Sequence, residues 1–361
     1  MKQSCLLLLV CLPVAAFAQT TQTTQTTIYG TLDAGVVGEG GCKLGCPHTR
    51  LSSGVESGSR LGFTGHEDLG GNTSAIFTVE AGILNDTGQS DQNGRLFGRQ
   101  AFVGLDGPAG MLTLGRQYNF VYETLTDVAD PFHGGMAGSA ANLVGYSVKR
   151  YDNAIKYLTP RLNGLRAGAI YSFGESPYNS AINRAYGLTI GYAKGAANLS
   201  VSYQRKNNLI DGNGPAPAAD QSGRNVLVAA NFNFGAFTGY AALGRSKGEG
   251  SSPWDMSNPY GVALAQNTPS SDSRDALIGI AVPRGAFTFL ASLVHKDDLS
   301  PLNQDAHQIA LGMTYTFSPR TDLYMSLARI HNRNGAGYTV GNATEAGHGD
   351  RAVNIGIRHS F

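Results

Sequence analysis

Bases recur along the first half of this chain at positions that alternate with apolar residues, and no nucleophile accompanies them. Arg60 lies across an extended segment from Leu61 and Phe63. Arg150 and Lys156 share a face with Asp152, opposite Tyr151, Ile155 and Tyr157. Arg116 separates less cleanly, because it has the parity of Leu112 and Leu114. Between these segments, 119–148 carries Glu123, Asp127 and Asp130, then Pro131-Phe132 and three glycines, Gly134, Gly135 and Gly138, able to turn sharply. Cations on wet strand faces can concentrate, orient and sort ions by their field without making or breaking a bond. A base aimed at the middle of a bilayer would cost roughly 2–4 kcal/mol, so Arg116 is expected to point inward or to lie near an interface.

Other chemistries fit less well. The eight histidines lie mostly in loops or at strand ends and no nucleophile motif accompanies them, whereas a hydrolase needs a Ser, a His and an Asp or Asn that converge. Cys42 and Cys46 have three residues between them, in a chain that crosses an oxidising compartment, and a local disulfide is expected. Free thiols are the alternative. A soft-metal trio with His48 lacks an evident fourth ligand, so no metal and no cofactor is expected. The formal charge is +1 with 48 glycines and 16 tyrosines, which argues against nucleic acid as a partner and for strands and turns.

Both ends say what must position the charges. Lys2, an apolar run from Leu6 to Val10 and beyond, and Ala16-Phe17-Ala18 read as a signal peptide over residues 1–18, cleaved after Ala18. Cleavage before Cys11 as a lipoprotein is disfavoured by Val10. No later segment offers roughly 18 uninterrupted apolar residues, so a helical span is excluded and only a barrel could cross a membrane. At the other end Val353, Ile355, Ile357, His359 and Phe361 share one face against Asn354, Gly356, Arg358 and Ser360. Alternation up to a terminal aromatic suits the closing strand of a membrane barrel.

About sixteen segments alternate in this way, such as Ala75, Phe77, Val79, Ala81 and Ile83 against Ser74, Ile76, Thr78, Glu80 and Gly82. A soluble sandwich would also bury its apolar faces, so alternation alone does not decide. The connections do. Gly70-Gly71, Asp106 to Ala109, Arg161 to Gly164, Gly195, Gly235, Pro283 to Gly285 and Ser318 to Arg320 are tight. The others, near 38–57, 85–95, 119–148, 174–184, 206–223, 247–272, 297–304 and 332–349, are long. Tight turns on one side and long loops on the other are the arrangement of outer-membrane barrels, and closure leaves no unpaired edge in hydrocarbon. The expected fold is all-β: one domain over 19–361, a transmembrane antiparallel β-barrel of 16 strands with both termini periplasmic, wide enough to hold water.

Seven ordered blocks then resemble a known family. TTIYGTLDAGV (26–36), SGSRLGFTGHEDLGG (57–71), AIFTVEAG (75–82), GRLFGRQAFVGL (94–105), LTLGRQY (112–118), RYDNAIKYLTP (150–160) and NIGIRHSF (354–361) are similar to the general porins of beta-proteobacterial outer membranes. The resemblance is dense over 26–160 and resumes at the C-terminus. It implies a homotrimer in the bacterial outer membrane, among its lipid and lipopolysaccharide. Each barrel would be a passive water-filled pore for ions and small hydrophilic solutes, often anion-preferring, with no enzymatic step.

The resemblance also implies that the long third loop, 119–148, folds into the lumen and adds Arg99 to the constriction, although parity groups Arg99 with Phe97, Val103 and Leu105. The expected constriction sets Arg60, Arg99, Arg150, Lys156 and Arg116 opposite Glu123, Asp127 and Asp130, with the first three arginines foremost. Phe361 is expected to be read by the barrel-insertion machinery. Two departures from the family stand out: the cysteines of the first loop, and Ser360, where relatives commonly carry a base. A substrate-specific channel is the nearest alternative, but Tyr186, Tyr192 and Tyr315 have lipid parity and read better as an interfacial girdle.

Overall fold

The computed structural model describes residues 24–42, 48–175, 180–207, 209–210, 219–220, 222–252 and 270–361. Residues 1–18, where a signal peptide is expected, and Cys46 lie outside them. Eighteen strands form one sheet, and two of these, Thr49–Ser53 and Gln89–Ser90, are short additions at its loop end. The other sixteen run from Thr24–Gly40 to Arg351–Ser360, each antiparallel to the next. The first pairs with the last from Thr31↔Ser360 to Gly40↔Arg351, which closes the barrel as alternation predicted. Several expected loops are partly strand: Thr49–Ser53 pairs with the first strand inside 38–57, Gln89–Ser90 lies inside 85–95, Leu209–Ile210 pairs with Ala219–Asp220 inside 206–223, and Phe287–Asp298 enters 297–304.

Solvent exposure separates the two faces. Ile278 is 61% exposed, Leu243 66% and Ile355 57%, all pointing out of the barrel. Covered by lipid, each contributes roughly 1.5–3 kcal/mol. Their neighbours Leu277, Ala242 and Asn354 point inward and are buried. The buried apolar cluster lies inside the barrel, where Val121, Leu125, Phe132, Met136 and Leu143 of the third loop meet Leu227, Leu277, Leu290 and Val294 of the wall.

Tight turns fall where glycine permits a left-handed backbone, at Gly70 (φ +82°), Gly195 (φ +59°), Gly235 (φ +85°) and Gly285 (φ +62°). At the seam, Phe361 exchanges two backbone hydrogen bonds with Gly30, both 3.1 Å, and its ring covers the space a side chain at Gly30 would take. Removing Phe361 is therefore expected to lower outer-membrane insertion, measured as surface-accessible protein. Unchanged surface levels of the truncated chain would count against that role.

Parity fails between Gly115 and Gln117, and the cause is local. Gly115 pairs with Ala154, but the next paired residues are Gln117 and Tyr151, so three steps on one strand match two on the other. Asn153 takes up the extra residue at φ +52°, and Gly115 sits at φ +132°, where a side chain would strike the Ala101 carbonyl oxygen. Such a bulge re-aims the side chains beyond it. Tyr151, expected on the outer face with Ile155 and Tyr157, instead points inward, 2% exposed, and donates to Gln204 Oε1 at 3.3 Å.

Candidate functional site

The third loop starts where Asn119 caps a short helix, Phe120–Thr124, by accepting from Tyr122 N at 2.9 Å. It continues as a wider turn, Leu125–Ala129, and crosses the lumen. Polar residues on the wet faces of the strands hold it. Thr124 Oγ1 bonds Ser200 and Ser202 (2.8 and 2.6 Å), and Asn231 donates to Val128 O at 3.0 Å. Ser326 Oγ accepts from Ala137 N (3.1 Å), and Asn142 donates to Gln308 Oε1 (2.8 Å). At two loop–wall contacts the wall is glycine: a β-carbon at Gly279 would lie 2.8 Å from Pro131, and one at Gly312 2.6 Å from the Phe132 ring.

The loop returns through a fully buried ion pair. Lys296 Nζ is 2.6 Å from Asp275 Oδ1, with side chains 0% and 1% exposed, and Asp275 Oδ2 accepts from Gly145 N at 3.1 Å. A pair so enclosed owes its hold to extra bonds around it, here also from Lys296 to Ser273 Oγ at 3.0 Å.

A cavity of about 810 Å³ remains between the loop and the opposite wall. Arg60, Arg99, Arg116 and Arg150 line it, as do Glu123 and Asp127. Arg99 Nε is 2.6 Å and Arg60 Nε 3.7 Å from the same carboxylate, Glu80. Arg95 and Arg116 both reach Asp152, the former at 3.0 Å. Arg150 stands over the Tyr118 ring, 4.3 Å from its centroid, and donates to the Tyr118 hydroxyl, as does Arg99 at 2.9 Å. Arg150 pairs with no carboxylate among the described residues, and its Nε is buried without a hydrogen-bond partner. Beside it burial lowers the Lys149 ammonium to about pH 7, helped by Arg150 and Arg99 and opposed by Asp91.

Arg99 escapes the parity problem because it precedes the strand Gln100–Gly107. Arg116 escapes it through the bulge. Its guanidinium turns to the Gly98 carbonyl oxygen (2.7 Å) and to Asp152.

Two expected constriction residues are elsewhere. Asp130 is 0% exposed and faces no pore; its carboxylate accepts from the backbone N of Phe132, Gly134 and Ala140 at 2.8–2.9 Å. Three N–H groups of a tightly turned segment need an acceptor inside the loop, and Asp130 supplies it. Lys156 is 6% exposed and lies behind the loop, 2.6 Å from Glu123 Oε1. Burial raises the Glu123 carboxyl above its ordinary range, and Lys156 pulls it back.

Other lining residues went unread in the sequence. Glu80 has wet-face parity and so carried a signal, but one of its arginines comes from the strand Arg60–Asp68 and the other from just before Gln100–Gly107. Asp33 does not line the cavity but supports it: its oxygens accept from the backbone N of Val55, Glu56 and Ser57 and from the Tyr324 hydroxyl, pinning 54–59 inward. Ala343 and Thr344 bring the last long loop to the cavity, and Arg50 joins that loop to the wall through Glu345 and Glu39, each at 2.7 Å.

With this geometry in view, the relatives are informative. A family model described as Gram-negative porin matches residues 6–335. An outer membrane porin protein of Bordetella pertussis is 28% identical, covering 96% of this chain and 97% of its own. Outer membrane porin protein 32 of Delftia acidovorans is 27% identical over 96% of each. Among solved structures, an anion-selective porin from Comamonas acidovorans superposes with a TM-score of 0.76 at 25% identity, over 94% of this chain and all of that one. The trimer form of OmpT from Vibrio cholerae, at 15% identity and a TM-score of 0.66 over 94% of this chain and 99% of that one, shares the fold. Closed barrel, infolded loop, charged passage and family match agree that this chain belongs to the Gram-negative porins, which form diffusion channels in the outer membrane.

Proposed function

We propose that the channel is a general porin that prefers anions, with Arg60, Arg99 and Arg150 setting the preference and Arg116 supporting it. The observation that carries this is Arg150, a cation over an aromatic face with no carboxylate partner among the described residues and an unsatisfied Nε. Three acids at the passage are tied to bases, Glu80 and Asp152 to two arginines each and Glu123 from behind to Lys156, while Asp127 and Asp91 pair with no base among the described residues. A carboxylate tied to a base contributes a partly cancelled field, and the surplus is positive. The similar anion-selective porin supports the same sign. Planar-bilayer conductance should rise in proportion to salt and stay unsaturated with added sugars or organic acids. Flux that saturates with one solute would favour a substrate-specific channel.

The same reading includes a homotrimer with closed cyclic symmetry. Unheated protein should migrate in detergent gels at about three times the heated monomer; a dilution-stable monomer would contradict it. Cleavage after Ala18 and a Cys42–Cys46 disulfide complete the proposal. Cys42 is disulfide-bonded, and its proposed partner is outside the described residues. The intact mass should fit a chain starting at Gln19 with neither thiol alkylated before reduction. A chain starting at Met1, or two alkylated thiols, would be the contrary result.

A further inference from the structure

Three of the chain's eight histidines fall on one line across the outside of the barrel. His295 on the strand Phe287–Asp298 lies directly opposite His307 on Ala306–Ser318, which in turn lies directly opposite His331 on Thr321–Asn332. All three have the outward parity of Leu293, Ile309 and Leu327, and all three are exposed. They stand at the long-loop ends of their strands, where the outward positions cease to be apolar: His295 follows Leu293, and His307 precedes Ile309. Water reaches this edge. Permeation uses none of the three, since none lines the cavity.

Their placement suits ligation. Among the described residues no hydrogen bond or ion pair occupies a ring nitrogen of the row, so each neutral imidazole has a lone pair to offer. Residues facing one another on adjacent antiparallel strands have β-carbons roughly 4.5–5.5 Å apart. Two imidazoles bound to one ion through nitrogens about 2.0–2.1 Å away, at angles between square and tetrahedral, set their ring centroids roughly 4.5–5.2 Å apart. The centroids of His307 and His331 are 4.9 Å apart, with the planes 39° from parallel. Stacking would bring such rings parallel, and these are tilted. Rotation about the outermost side-chain bond, unhindered on an exposed face, aims one nitrogen from each ring at a shared point.

The donors select the ion. Imidazole nitrogen suits zinc, copper and nickel, whereas calcium and magnesium require oxygen, and no carboxylate stands in the row. No three potential ligands converge among the described residues, so an ion held by two rings keeps open positions for water.

We propose that His307 and His331 form a two-ligand site on the outer face for a divalent late first-row transition ion, zinc or copper, with His295 outside its coordination sphere. An ion held there cross-links two neighbouring strands at the outer mouth and stabilises the folded barrel by mass action. The site follows from strand register and is independent of the ion preference of the pore.

The test titrates copper(II) chloride, and separately zinc chloride, into tag-free protein with its disulfide intact in neutral detergent. Wild type should bind one copper per chain, with two nitrogen ligands in its electron paramagnetic resonance spectrum. His307→Asn and His331→Asn should each lower the affinity at least about tenfold, because the second ligand no longer closes on the ion. His295→Asn should bind as wild type does. Zinc should raise the melting temperature of wild type and of His295→Asn but not of the other two variants. Without metal all four proteins should melt together, since the three side chains are exposed, and their conductance should be the same. Should one of the two ligand variants fail to insert, the other reads the same pair. Wild-type affinity in His307→Asn or His331→Asn, a single nitrogen ligand in the wild-type spectrum, or an equal loss in His295→Asn would overturn the proposal.

Discussion

Replacing Arg60, Arg99 and Arg150 together by Ser should reverse the sign of the zero-current potential under a salt gradient, from anion to cation preference. The change should be largest in dilute salt, where screening is weakest. Glu80 supplies the reason for a reversal in place of a mere loss: it is 4% exposed and its charge is answered by Arg60 and Arg99. Without them an unpaired carboxylate faces the passage beside Glu123 and Asp127, and Arg150 no longer offsets it. Removing Arg150 alone should weaken the preference and keep its sign, because Glu80 retains its partners. A triple variant with normal conductance and unchanged potential would place selectivity elsewhere in the channel.

Asp130→Ala should open the pore. Its carboxylate holds three backbone N–H groups inside the loop, and leaving each buried and unmet costs roughly 1–3 kcal/mol. The barrel has its own hydrogen-bond ladder and should survive, so the loss falls on the loop. Single-channel conductance is expected to rise and become noisy, and proteases should cut within 119–148. Asp130→Asn keeps an acceptor and should fall between the two. Wild-type conductance and an unchanged protease pattern in the Ala variant would show that other contacts suffice to hold the loop.

The difference between Asp130 and Arg150 shows how far sequence reading reached. Strand parity is dictated by the pleat, and apolar faces must meet lipid, so the sixteen strands, their closure at Phe361 and the inward aim of Arg60 could be read from residue types alone. The inward course of the third loop came from family resemblance. Once the chain leaves the pleat, that rule ends. Asp130, Glu123 and Asp127 look alike in sequence, yet only the fold of the loop decides which carboxylate turns onto backbone N–H groups. The bulge at Asn153 is equally silent, since a single inserted residue moves Tyr151 inward without altering the surrounding pattern. Asp33 and Glu80 were hidden for another reason: Glu80 meets Arg60 and Arg99 only through the register of the two flanking strands, and Tyr324 reaches Asp33 only when the barrel closes.

The central claim is tested most directly by the zero-current potential of the unmodified protein in a neutral bilayer across a tenfold gradient of potassium chloride, whose ions have nearly equal mobility. An anion-preferring pore gives a potential positive on the concentrated side, growing as total salt is lowered. A potential of the opposite sign, or one indistinguishable from zero at every salt concentration, would contradict the reading of Arg60, Arg99 and Arg150 as the charges that govern passage.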